Sequence, residues 1–121
     1  MEIIPSINCP DIDCVRDRVH AVEKFAKWVH LDVADACFTS HKTWNDPRGW
    51  ESIWNPPVLE VHLMVEETEK WARKWLAAGA KRVIAHIETS STDVLQRIAE
   101  LARDRGATVM LATNPDRKSV V

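Results

Sequence analysis

Strand-like and helical patterns alternate along the whole of this chain, and that alternation leaves few folds open. Glu2 to Asn8 reads as a strand, followed by Asp11 as the cap of a helix running to about Ala26. Lys27 to Val33 and Pro57 to Met64 read as the second and third strands. Glu66 to Ala78 reads as a helix that Gly79 ends, and Arg82 to Glu88 as a fourth strand. Ser90-Ser91-Thr92-Asp93 starts a helix reaching about Arg105, which Gly106 closes before a fifth strand, Ala107 to Thr113. The repeat of roughly 25 to 30 residues is the size of a βα unit with a short connection. Such units place strands parallel, with helices packed outside them. The expectation is therefore an α/β fold in one domain, residues 1–121, with about five parallel strands and outer helices.

A parallel strand buried on both faces should be almost wholly apolar. Here apolar beginnings give way to polar endings: Ser6 and Asn8, His30 and Asp32, His62, His86 and Glu88, Thr113 and Asn114. Polar groups at the carboxyl ends of parallel strands mark where α/β proteins bind ligands, in barrels and open sheets alike. Residues two apart on a strand share a face, so His30 lies beside Asp32 and His62 in line with Met64. Two imidazoles and a carboxylate suit a divalent metal with open coordination positions, and the carboxylate can double as a base. This pattern points to a metal-assisted proton transfer on a small molecule. His86 and Glu88 share a face as well, and read as a hydrogen-bonded pair supporting the site.

Charge and composition remove other classes. The formal net charge of -2, with both signs interspersed, offers no basic stripe for nucleic acid. No apolar stretch approaches the length of a membrane span, and Met-Glu-Ile-Ile-Pro does not resemble a signal peptide. A cytoplasmic location is expected. Cys9, Cys14 and Cys37 form no CxxC pair, and their odd count argues against a disulfide framework, so reduced thiols are expected. Ala34 to Pro56 is the long irregular stretch. It reads either as a lid over the strand ends or as a short helix, Gly49 to Trp54, whose tryptophans cover the outer wall. Trp71 and Trp75, four apart on a helix, read as packing residues.

Taken together, several of these segments resemble the ribulose-phosphate 3-epimerase family. They are Ile4-Pro5-Ser6-Ile7, His30-Leu31-Asp32-Val33-Ala34-Asp35 and His62-Leu63-Met64-Val65, continued by Ala78-Gly79-Ala80, His86-Ile87-Glu88 and Asn114-Pro115. The resemblance covers essentially the whole chain and follows the family's order. It departs after Asp35, where Ala36-Cys37-Phe38 replaces the usual Gly-His-Phe, and at Glu60, where an aspartate is usual.

The resemblance implies a partial TIM-type barrel: a (βα)8 barrel needs at least about 200 residues, and this chain supplies about five units. It implies inversion of the carbon next to the ketone of D-ribulose 5-phosphate, giving D-xylulose 5-phosphate through a metal-stabilised enediolate. His30, Asp32 and His62 would hold one divalent ion (zinc, iron, manganese or cobalt), with Asp32 also the base. Ser6, His62 and Met64 would touch the sugar phosphate. The family's opposing acid and its glycine-rich phosphate loops belong to later units. The alternative is therefore an incomplete half-barrel that binds metal and needs a partner chain, or self-association through its open sheet edges.

Overall fold

In the computed structural model, which describes residues 2–115, five strands form one parallel sheet. They are β1 (Ser6–Ile7), β2 (Trp28–Ala34), β3 (Val58–Met64), β4 (Arg82–His86) and β5 (Thr108–Ala112), and their order across the sheet is their order in the chain. The helices are α1 (Ile12–Val22), α2 (Pro47–Glu51), α3 (Thr68–Ala77) and α4 (Thr92–Asp104). The alternation expected from the sequence is borne out. None of the described helices is long and apolar enough to cross a membrane.

Several elements are shorter than their patterns suggest, each for a local reason. β1 is two residues rather than seven; Pro5 has no N–H for the ladder, though its carbonyl still accepts from His30 N at 2.9 Å. α1 stops at Val22 because the N–H groups of Phe25 and Ala26 both turn back onto the Val22 carbonyl. α3 begins at Thr68 rather than Glu66, since Glu67 has a non-helical backbone (φ -88°, ψ 64°), and the Glu66 N–H before it is bonded to the Asp35 carboxylate at 2.9 Å. The cap at Asp11 forms as expected, accepting from the Cys14 N–H, and within the expected start Ser90 to Asp93 it is Ser91 that caps α4, accepting from the Val94 N–H.

The strand order decides where the helices go. A crossover between neighbouring parallel strands is almost always right-handed. Each step here runs the same way across the sheet, so α1, α3 and α4 fall on one face. A doubly wound sheet would need the order to reverse. Val29, Leu31 and Val33 of β2, and Leu59, Val61 and Leu63 of β3, are at most 2% exposed. They share a core with Val15 and Val19 of α1, Trp75 and Leu76 of α3, and Ile98 of α4. Among the described residues, no helix lies over the opposite face. Its registered rows run Ser6–His30–Glu60–Arg82–Thr108 and, one step along, Asp32–His62–Ile84–Met110. Polar residues therefore occupy this face along much of the strands and are not confined to the endings. One-faced helix coverage with sequential strands is the architecture of a partial TIM-type barrel.

Two sequence expectations need correction. Cys9 and Cys14 form a disulfide rather than standing as reduced thiols, and Cys37 is free and exposed. The tight β1–α1 connection around the Asp11 cap brings the two Cα atoms to 5.7 Å, within disulfide range, which counting cysteines does not reveal. The short helix in the irregular stretch starts at Pro47, not Gly49, because proline is suited to a first helical turn. Its tryptophans divide: Trp50 is buried, whereas Trp54 is 88% exposed and covers no wall. Trp75 is buried and donates from Nε1 to Asn45 Oδ1 at 2.8 Å, while Trp71 lies under the Lys70 and Lys74 ammonium groups.

Gly79 ends α3 at φ +105°, and a Cβ there would meet nothing within 4 Å. The cost of a side chain is thus purely backbone. Gly79→Ala is expected to lower stability by about 1 kcal/mol in urea unfolding, with an unchanged denaturant slope.

Candidate metal and proton-transfer site

His30 and Asp32 alternate with buried Leu31 on β2, and His62 sits between buried Val61 and Leu63 on β3. Because the apolar neighbours are drawn under the helices, the polar side chains are turned to the uncovered face. The register places Asp32 directly opposite His62. Asp32 Oδ1 lies 2.9 Å from His30 Nε2 and 3.3 Å from His62 Nδ1. One donor atom from each of the three residues falls within 4.8 Å of the others. Their side chains are 16–22% exposed, so the cluster is reachable by a small molecule while being shielded from bulk water. A carboxylate oxygen and two imidazole nitrogens facing a common point fit a divalent cation that keeps further positions open.

Of the other residues assigned to substrate, Ser6 is exposed and sits in register with His30. Met64 follows His62 by two positions at the end of β3 and is half-buried. Both therefore border the cluster on its own face.

Behind the cluster lie further groups that bond to its two imidazoles. Glu60 Oε2 accepts from His30 Nδ1, and Glu60 Oε1 accepts from the Arg82 guanidinium at 2.8 Å. The Arg82 guanidinium also rests on the Trp28 ring. On the other side, His62 Nε2 and His86 Nε2 are 2.7 Å apart, and His86 Nδ1 lies 3.3 Å from Glu88 Oε1. Glu88 Oε2 in turn accepts from Thr113 Oγ1 at 2.6 Å and from Asn114 N at 2.8 Å. The expected pairing of His86 with Glu88 is present, and it reaches His62. Asn8 Nδ2, at 3.5 Å, is the remaining neighbour of Asp32 in this network. One signal for Glu60 was available: a carboxylate inside an otherwise apolar strand needs a partner. Its identity required knowing that β2 and β4 flank β3.

These contacts set the charges. Burial opposes ionisation of Asp32, but the hydrogen bonds and charges of His30 and His62 outweigh it and hold the carboxyl well below its usual range. The Asp32 hydrogen bond raises His30, with burial working against it and Glu60 adding to the rise. Glu60 is likewise lowered, its burial overcome by His30 and Arg82. His86 is lowered, first by burial and then by the neighbouring His62. An ionised Asp32 is what a proton-abstracting base requires.

The irregular segment touches the site through Phe38, whose ring centre is 4.9 Å from that of His86. Most of its other contacts hold the segment in place. Asp35 accepts from the N–H groups of Cys37, Phe38 and Glu66, and Thr43 bridges Asp32 O and Ala34 N. Asp35 is thus occupied by backbone donors on both of its oxygens.

The sequence matches the model of the family described as "Ribulose-phosphate 3 epimerase family" over residues 2–120. The ribulose-phosphate 3-epimerase of Synechocystis sp. is 31% identical over 121 residues, covering 94% of this chain and 52% of that protein. The ribulose-phosphate 3-epimerase of Mycobacterium tuberculosis is 30% identical, with 93% of this chain and 48% of that protein covered. The chloroplastic ribulose-5-phosphate-3-epimerase of Arabidopsis thaliana is 32% identical, with 93% and 41% covered. The chain thus spans about half the length of the curated relatives it matches.

Glu88 carries a prediction for pH. Burial would raise its carboxyl, but the bonds from Thr113, Asn114 and His86 bring it from 4.5 down to about 2. A carboxyl lowered on folding stabilises fully above its unfolded value, and that contribution is lost as pH falls toward the folded one. Melting temperature is therefore expected to drop between pH 4.5 and about 2, with a shallower drop in Glu88→Gln. Equal slopes in both proteins would contradict the assignment.

Proposed function

The chain belongs to the ribulose-phosphate 3-epimerase family, and on that premise we propose that it supplies the metal-binding and proton-abstracting half of an epimerase acting on a pentulose phosphate. The observation that carries this reading is the convergence of His30, Asp32 and His62 donor atoms within 4.8 Å on the uncovered face of the sheet.

The hydrogen on the carbon next to a ketone is far less acidic than a carboxylic acid. A carboxylate takes it only if the ketone oxygen is stabilised as it gains charge. Asp32 is the base: ionised, held between two imidazoles, and open to a small molecule. It takes the C3 proton of ribulose 5-phosphate, and the C–H electron pair moves toward the ketone oxygen to give an enediolate. A divalent cation held by His30, Asp32 and His62 (zinc, iron, manganese or cobalt) would supply positive charge beside that oxygen. Ser6 and Met64 border the same face and, with His62, would position the sugar. Return of the proton to its original face regenerates substrate; delivery to the other face gives xylulose 5-phosphate. Asp35 is held by backbone N–H groups and Glu88 by Thr113 and Asn114, so neither stands free as the opposing acid.

Incubation with ribulose 5-phosphate in heavy water tests the base directly. Deuterium is expected at C3 in the metal-loaded protein, and Asp32→Asn should slow its uptake by about a hundredfold or more. His62→Ala should reduce the bound metal found by elemental analysis. Exchange equally fast in Asp32→Asn would overturn the role of that residue.

A second reading is that the chain works only in association. The outer edges of β1 and β5 carry no neighbouring strand among the described residues, and Met110 and Leu111 on β5 are 48% and 58% exposed. Unpaired edges of this kind invite pairing with another chain. Solution scattering should show a dimer or larger species, whereas a strict monomer at all concentrations would count against this reading.

A further inference from the structure

We propose that Glu60 on one side and the pair His86–Glu88 on the other are positioning residues that choose which nitrogen of each imidazole faces the cation: Nε2 of His30 and Nδ1 of His62. The inference rests on the reading of His30, Asp32 and His62 as metal ligands, and it concerns residues that do not themselves reach the ion.

A neutral imidazole has one lone pair and one N–H, so fixing the proton on one nitrogen frees the other for a metal. For His30 the choice is direct. Its Nδ1 faces Glu60 Oε2, and Glu60 is ionised and anchored through its second oxygen by Arg82 at 2.8 Å. A carboxylate only accepts, so His30 Nδ1 carries the proton. With no cation present Nε2 also carries a proton, donated to Asp32 Oδ1 at 2.9 Å; a cation would displace that proton, and the Nε2 lone pair would then face it while Nδ1–H stays on Glu60.

For His62 the choice passes through a second imidazole. The two Nε2 atoms of His62 and His86 are 2.7 Å apart, the ring planes are inclined by only 13°, and the ring centres are 4.9 Å apart. Atoms in face-to-face stacked rings do not approach that closely. The rings lie nearly end to end in one plane, and the N–H of one points along the lone pair of the other. Either nitrogen could donate if this pair stood alone. Glu88 breaks the tie. Its Oε1 lies 3.3 Å from His86 Nδ1 and, as a carboxylate, must accept. Its Oε2 is already taken by Thr113 Oγ1 and Asn114 N. His86 therefore has its proton on Nδ1 and a lone pair on Nε2. His62 Nε2–H must donate to that lone pair, so Nδ1, 3.3 Å from Asp32 Oδ1, is the nitrogen that would give up its proton to a cation. A carboxylate on the β4–α4 connection, held by residues just after β5, thus decides how a histidine on β3 meets its ligand.

The chain of donors has a polarity, and reversing it gives an unusual test. Thr113 and Asn114 both donate to Glu88, so the amide of Glu88→Gln should turn its oxygen to them and its NH2 toward His86 Nδ1. His86 would then hold its proton on Nε2, against the Nε2–H of His62. To avoid two facing donors His62 must move its proton to Nδ1, on the metal side. Glu88→Ala instead leaves His86 free to adopt either tautomer. The conservative substitution is thus expected to be the more damaging one, the reverse of what a merely structural role predicts.

Cobalt titration followed by visible absorption should show affinity reduced by roughly tenfold or more in Glu88→Gln and Glu60→Ala, and by less in Glu88→Ala. Long-range proton–nitrogen NMR of histidine side chains in the wild-type protein, with and without zinc, reads the tautomers without any variant. Zinc should shift Nδ1 of His62 and Nε2 of His30, with the opposite nitrogens protonated. No cobalt binding and no zinc response in the wild type would remove the metal reading itself. Binding with His62 ligated through Nε2, or Glu88→Ala as damaging as Glu88→Gln, would overturn the positioning inference and leave the metal reading intact.

Discussion

Same-direction crossovers between neighbouring parallel strands put every connecting helix of this sheet on one side, and the rest of the structure follows from that constraint. Side chains alternate across a strand, so one face had to become a dry contact with α1, α3 and α4. Val29, Leu31, Val33, Val61 and Leu63 meet that requirement with almost no exposure. The other face was left free to hold groups that a two-sided core would exclude. His30, Asp32, Glu60, His62 and Arg82 occupy it in adjacent registered rows.

A row of charges on a half-covered face is stable only if each charge is answered. Glu60 is 6% exposed and is answered twice, by Arg82 and by His30. Asp32 is answered by the two imidazoles, and Glu88 by a hydroxyl, a backbone N–H and His86. The same contacts that make these groups tolerable inside the fold also fix their charges and orientations. Asp32 stays ionised, and each imidazole has one nitrogen tied back and the other turned to the shared centre. Stability and side-chain orientation are here one network, because a hydrogen bond that secures a ring also settles where its proton sits.

Much of this was legible from residue order. The βα repeat, the cap at Asp11, the helix start within Ser90 to Asp93 and the helix end at Gly79 depend on neighbours close in the chain, and they were found where local chemistry put them. The cluster of His30, Asp32 and His62 was legible for a related reason: a period of two puts His30 beside Asp32, and sequential pairing of β2 with β3 completes the set. The Cys9–Cys14 disulfide escaped because it depends on the path of the β1–α1 turn rather than on the number of cysteines. Trp54 escaped because its position just beyond α2, not its hydrophobicity, decides that it stays in solvent.

Local patterning therefore accounts for which residues are strands, which are helices and which polar groups share a face, since those depend on periods of a few residues. Long-range contacts account for what those polar groups do to one another. Glu60 meets Arg82 across 22 positions and His30 across 30, and Glu88 meets Asn114 across 26. Nothing in the spacing of such residues encodes their meeting. It arises because strands far apart in the chain lie side by side, and only at that distance do hydrogen bonds and charges act.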